Sequence, residues 1–203
     1  MNWSACLPLA LVCLLGAMSP GPSLAVVARH ALRGGARDGI VCAMAHGFGI
    51  LLWALLMANG LGALLIEQPN WFAGVQFAGA GFLLYLGIQV LLSQSSAAVS
   101  AEAVSDSSKR GAGLEGFVIA LSNPKIALFF AALFSQFIQP DATALEKTLI
   151  ASTAAGIDTL WYSLVSILLA QTAVLSRLQR RATLLNRLFG GILIVLAVSV
   201  VMT

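Results

Sequence analysis

Long apolar stretches separated by short polar ones dominate the chain. Such runs fall at about Trp3 to Ala28, Gly39 to Ile66, Trp71 to Leu92, Leu114 to Ile138, Thr148 to Thr172 and Thr183 to Met202. Each is about the length a helix needs to cross a hydrocarbon core roughly 30 Å thick at about 1.5 Å per residue. Barrel strands would be shorter and would alternate apolar with polar residues, a pattern absent here. The expected fold is an all-α integral membrane protein with six transmembrane helices.

Composition reinforces this picture. Of the 203 residues 59% are hydrophobic and 9% are charged, whereas an ordinary soluble domain carries about a quarter charged residues. A soluble fold could not cover that much apolar surface, and six crossings leave no length for a catalytic domain. No enzyme activity and no cofactor are expected. The net charge of +3 is spread in short clusters between apolar runs, as topology signals are, so no nucleic-acid partner is expected. Cys6, Cys13 and Cys42 lie inside apolar runs without paired spacing and read as small buried hydrophobes. The first run has no basic segment before it and continues past Pro-Gly-Pro, so it reads as a retained helix rather than a cleaved signal.

The basic residues also orient the chain. Arg29, Arg33 and Arg37 follow run one, Lys109 and Arg110 follow run three, and Arg177, Arg180, Arg181 and Arg187 follow run five; the even connections hold Lys147 alone. The odd connections are therefore expected in the cytoplasm and both termini in the periplasm. The chain reads as one transmembrane domain, 1–203. A first three-helix repeat (1–92) and a second (114–203) are joined by a Ser/Ala-rich cytoplasmic linker, 93–113. Three helices on each side give the halves opposite orientations, the arrangement of inverted repeats. Ser19-Pro20-Gly21-Pro22 in run one echoes Ser122-Asn123-Pro124-Lys125 in run four, and Gly47, Gly49 and Trp53 echo Gly156 and Trp161.

Several residues are expensive in lipid. Pro20, Gly21 and Pro22 interrupt run one, and Asn123-Pro124 interrupts run four, because proline removes a backbone donor and clashes with the preceding turn. Backbone freed at that depth needs protein or a wet cavity to satisfy it. Lys125 lies about ten residues inside its run, roughly 15 Å deep, and Asp158 about eleven residues inside from the opposite face, roughly 16 Å. A lone charge at mid-membrane costs roughly several kcal/mol unless it is paired or hydrated. The Pro-Gly-Pro break is about nine residues from Arg29, at the same level, and His46 lies slightly toward the cytoplasm. The expected site is thus one layer containing Pro20, Gly21, Pro22, Asn123, Pro124, Lys125, Asp158 and His46. Helix starts and Lys125 suit a carboxylate, and Asp158 suits an ammonium group or a proton. His46 reads equally as a hydrogen-bonded packing residue. Ala43, Ala45, Gly47 and Gly49, with Gly74 and Ala78, offer small-residue helix contacts. Trp3, Trp71 and Tyr85 read as interface or packing residues, and Glu115 as a charge tolerated near a helix N-terminus.

These motifs resemble a family. Ser19-Pro20-Gly21-Pro22 with its basic connection and Gly-rich second helix is similar to the N-terminal signature of the LysE/RhtB-type amino-acid exporters. Leu121 to Phe130, continuing through Phe134-Ser135-Gln136-Phe137, resembles their fourth-helix signature, and Phe77 to Gly87 their third helix. The resemblance covers nearly the whole chain. It implies a bacterial inner-membrane secondary transporter that exports amino acids or derivatives, such as lysine, threonine, homoserine or its lactone, or branched-chain residues. It further implies proton antiport and alternating access. Pro20, Gly21, Pro22, Asn123, Pro124 and Lys125 fall on signature positions, and Asp158 on a recurrent fifth-helix acid. Ser23 stands where Asn is frequent and Ser135 where Pro is frequent, departures that bear on substrate preference or local bending.

The expected partners are a small amino acid, a proton as coupling ion and the lipid bilayer, with a homo-oligomer left open. The alternative is a divalent metal-cation exporter of a related membrane family, which would need clustered Asp, Glu, His or Cys ligands. A membrane thiol-disulfide carrier would need paired reactive cysteines.

Overall fold

The computed structural model describes residues 3–19, 21–92, 111–137, 142–170, 187, 191, 193–195, 197 and 198. The linker expected at 93–113 falls almost wholly outside these residues. So do Pro20, the basic residues Arg177, Arg180 and Arg181, and most of the sixth run. The described elements are all helical: α1 (Trp3–Met18), α2 (Pro22–Glu67), α3 (Pro69–Leu92), α4 (Ala112–Ser122), α5 (Pro124–Phe137) and α6 (Ala144–Leu169).

At 46 residues α2 is too long to be one crossing; as a straight rod it would reach about 69 Å, more than twice the hydrocarbon core. It is not straight. Gly35 has φ 78°, a left-handed conformation that costs glycine little, and it divides α2 into limbs 22–34 and 36–67. A Cβ at Gly39 would lie 2.8 Å from Ala31 Cβ. Eight residues along a straight helix the separation would be about 12 Å, so the limbs fold back on one another. The loop expected after run one has contracted to this turn, and Arg29, Arg33 and Arg37 are helical.

Run one is consequently α1 plus the first limb of α2, interrupted at Ser19 to Gly21. Run four is α4 plus α5, bent by 56° at Asn123. Proline opens the helix after each break, at the first helical position where its missing N–H costs nothing; Pro22 follows the extended Gly21 and Pro124 follows the extended Asn123. Gln68 alone separates α2 from α3. α6 starts on a capping box in which Thr143 Oγ1 accepts from Glu146 N at 3.2 Å and Thr143 N donates to Glu146 Oε2 at 2.9 Å.

α2 is the hub, packed mainly on α6 and α4, while α3 lies on α5 and α1 on α6. Missing side chains make this closeness possible. Gly47 abuts Thr159 and Ala155 of α6, and Gly39 abuts Ser166. Gly116 of α4 sits against the Cys42 carbonyl, and a Cβ at Gly49 would come within 2.6 Å of Ala120 Cβ. On α3 the expected contact residues are corrected. Gly74 meets nothing within 4 Å and Ala78 is exposed; the close contact is Gly79, whose Cβ would reach 2.7 Å from Ala132 Cα. Trp71 and Tyr85 are exposed, as suits residues at the bilayer interface.

Facing outward are large apolar side chains, including Leu7, Met44, Leu56, Phe77, Leu92 and Leu160, each more than half exposed. Among the described residues three helices are long and apolar enough to cross a bilayer, four with the bent α4–α5 pair. An outer surface of this kind is unsuited to water and suited to lipid. The protein is a multi-pass membrane protein.

Candidate functional site

The two broken helices meet. Asn123 Nδ2 donates to Ser23 Oγ at 3.1 Å, and Lys125 Nζ donates to Ser19 Oγ. Each contact therefore joins the break in the first half to the break in the second. Asn123 Oδ1 also accepts from Lys125 N at 3.1 Å, capping the start of α5. A Cβ at Gly21 would lie 3.4 Å from Lys125 Nζ. The bare backbone at the start of α2 thus lets the ammonium group approach.

A third contact joins the halves across α2 and α6. His46 Nδ1 donates to Asp158 Oδ2 at 2.7 Å, with His46 1% and Asp158 7% exposed. This bond fixes the imidazole orientation and turns Nε2 away from Asp158; Nε2 is buried and has no hydrogen-bond partner among the described residues. The Tyr162 ring, one helical turn beyond Asp158, packs edge-on against His46 with centroids 5.1 Å apart.

These groups surround one cavity of about 50 Å³. That is room for a few water molecules and less than the few hundred Å³ typical of a ligand pocket, so the site is narrow. Of the expected site residues, Gly21, His46, Asn123, Lys125 and Asp158 line it. Pro22 and Pro124 do not; they are exposed at the helix starts and shape the backbone that does. Pro20 lies outside the described residues. Lys125 and Asp158 share the cavity, but the carboxylate is held by His46 rather than by Lys125.

Sequence reasoning did not single out Tyr162 or Phe129 as cavity residues, and it treated Ser23 only as a departure. Tyr162 could have been found from its i+4 spacing to Asp158. Ser23 could have been found by noting that it follows the first break as Lys125 follows the second.

A second polar cluster lies away from the cavity. Glu115 of α4 pairs with Arg29 of α2, and His30 Nε2 lies 2.9 Å from Glu115 Oε2. Glu115 precedes Asn123 by eight residues and Arg29 follows Gly21 by eight, so both sit about 12 Å from the breaks. They mark the side of the bundle on which α4 begins. Among the described residues no three His, Cys, Asp or Glu side chains come together as a metal site would require. The described cysteines Cys13 and Cys42 are free and buried.

Comparison with known proteins agrees with the architecture. The chain is 26% identical to the threonine efflux protein of Salmonella typhimurium over 187 residues, 90% of either chain. It is 25% identical to the threonine efflux protein of Escherichia coli K12 over 190 residues, 92% of either chain. An uncharacterized membrane protein of Pseudomonas aeruginosa is 35% identical over 144 residues, 68% of this chain and 64% of that one. No solved structure matches. The family model described as LysE type translocator matches residues 14–203. With broken helices, a charged cavity between two halves and a match over nearly its full length, this chain belongs to the LysE family of translocators and is a transporter, not an enzyme.

Proposed function

We propose that the protein exports an amino acid or a close derivative across the bacterial inner membrane, in exchange for protons, by alternating access around the cavity. The observation that carries this reading is the convergence of Lys125, two helix starts and the His46–Asp158 pair on one narrow cavity. A zwitterion needs a cationic and an anionic partner a short distance apart. Lys125 with the starts of α2 and α5 serves the carboxylate. Asp158 serves the ammonium group, and protonation of the same carboxylate releases it, which couples the two fluxes. His46 relays the proton: Nδ1 is committed to Asp158 and Nε2 stays available to a ligand or water. The threonine efflux relatives support an amino acid as cargo.

The two halves, 1–92 and 114–203, act as inverted repeats that rock against each other. The correspondence of the breaks at Ser19 to Gly21 and at Asn123 supports the pairing of run one with run four. The positive-inside pattern puts the start of α4 in the cytoplasm and both termini in the periplasm. Arg29 and Glu115 then tie the halves together on the cytoplasmic side and part when the cavity opens there. The reading is tested in sealed liposomes containing the purified protein. An imposed pH gradient should drive uphill threonine movement, and Lys125→Ala and Asp158→Asn should each reduce it to the level of protein-free liposomes. Undiminished transport in both variants removes the site assignment.

A further inference from the structure

We propose that Phe129 sets the upper size limit of the substrate side chain. This rests on the amino-acid reading of the cavity given above. The polar lining falls into two groups: Lys125 with Ser19, Ser23 and Asn123, and Asp158 with His46 and Tyr162. Both are used by the carboxylate and ammonium common to every amino acid. What distinguishes one amino acid from another must meet the rest of the lining, which is apolar: Ile50, Ile126, Phe129, Phe130 and Ala154 among others. Among the described residues Asp158 is the one carboxylate lining the cavity, and it already receives His46. A side-chain cation would meet no second anion among them, and an uncharged side chain fits best.

Of the two phenylalanines that line the cavity, Phe129 is the one placed to meet that side chain, because it lies one helical turn beyond Lys125 on the same face of α5. Its ring is held on two sides. A Cβ at Gly16 of α1 would come within 2.7 Å of Phe129 Cζ, so the ring rests on the bare α1 backbone. Phe130 packs edge-on against it with centroids 5.5 Å apart, and Phe130 is itself packed on Phe134 at 5.3 Å. With contacts on both sides, the ring forms a wall of the cavity of about 50 Å³.

The test is a size series in reconstituted liposomes, with alanine, serine, threonine, valine, leucine and lysine each moved by the same pH gradient. In the native protein, efficiency should fall from threonine to leucine, and lysine should be poorest. Phe129→Ala should raise the leucine-to-threonine efficiency ratio by at least about 10-fold, the lower end of what one methylene in a fitted apolar pocket discriminates. Phe129→Leu should give a smaller rise. Gly16→Ala pushes the ring inward and should lower the threonine-to-alanine ratio instead. Lysine should gain in none of them. Because ratios are compared within one variant, a general loss of folding does not move them, and the two smaller substitutions decide the matter if Phe129→Ala is not recovered folded. Unchanged ratios in the folded variants overturn the assignment of Phe129 while leaving amino-acid export standing. Failure of the native protein to move any amino acid overturns the export reading itself.

Discussion

Two polar clusters link α2 to the second half of the chain, and they differ in what they face. His46 and Asp158 keep side-chain exposures of 1% and 10% and face a small cavity. Arg29, His30 and Glu115 keep side-chain exposures of 17%, 18% and 12% near the end of the bundle where α4 starts. Water can still reach the outer cluster when its pairs separate. The inner pair has only protein and whatever enters the cavity. A partly exposed pair gains little from its contact and can open and close readily, as a gate must. A buried pair is costly to break, and a protein that keeps one at the centre of an apolar bundle uses it. On the proposed reading, the outer cluster governs access and the inner one governs binding and proton exchange.

Substitutions can break this contrast at either end. The largest effect is expected from Asp158→Asn and Lys125→Ala, which should abolish gradient-driven transport while the protein still elutes as a folded species in detergent. Next comes His46→Ala. Removing one partner of a buried hydrogen-bonded pair leaves the other unsatisfied at a cost of about 1 to 3 kcal/mol, so thermal unfolding in detergent should shift downward. The combination with Asp158→Asn should cost less than the two single changes added together; simple additivity would mean that the two residues do not act as a pair. Gly47→Val inserts bulk where α2 touches Thr159 and Ala155, and overpacking of about 1 to 3 kcal/mol is expected in the same melt. The smallest change belongs to the outer cluster. Glu115→Gln should alter the initial rate a few-fold, consistent with about 1 kcal/mol for a partly exposed pair, and Arg29→Glu combined with Glu115→Arg should return the rate toward normal. Complete loss of transport in Glu115→Gln would erase the distinction between the clusters.

Depth counting along the chain was enough to bring Lys125, Asp158, Gly21, Asn123 and His46 to one layer, because a helix advances a fixed distance per residue and charge is costly in lipid. Which groups pair inside that layer depends on helix rotation, which the weak amphipathicity of these segments leaves open. Hence His46, readable as mere packing, turns out to hold Asp158. The same limit applies at Gly74 and Ala78, where the small-residue spacing was visible but the close helix contact is made by Gly79. Arg29 and Glu115 were each explicable alone, one as a topology signal and the other as a charge at a helix start. The reversal between the first two runs was expected, but their pairing depends on its tight form at Gly35 and on how α4 packs beside it, which the run boundaries do not fix. The breaks were legible for the opposite reason. Proline acts locally, and both interruptions fall where it dictates.

The most direct test follows proton movement with a dye trapped inside sealed liposomes while a threonine gradient is applied and no pH gradient is imposed. The native protein should carry protons in the direction opposite to threonine, and Asp158→Asn should carry none. Proton flux of native size in Asp158→Asn, or threonine movement by the native protein without any proton flux, would contradict the account.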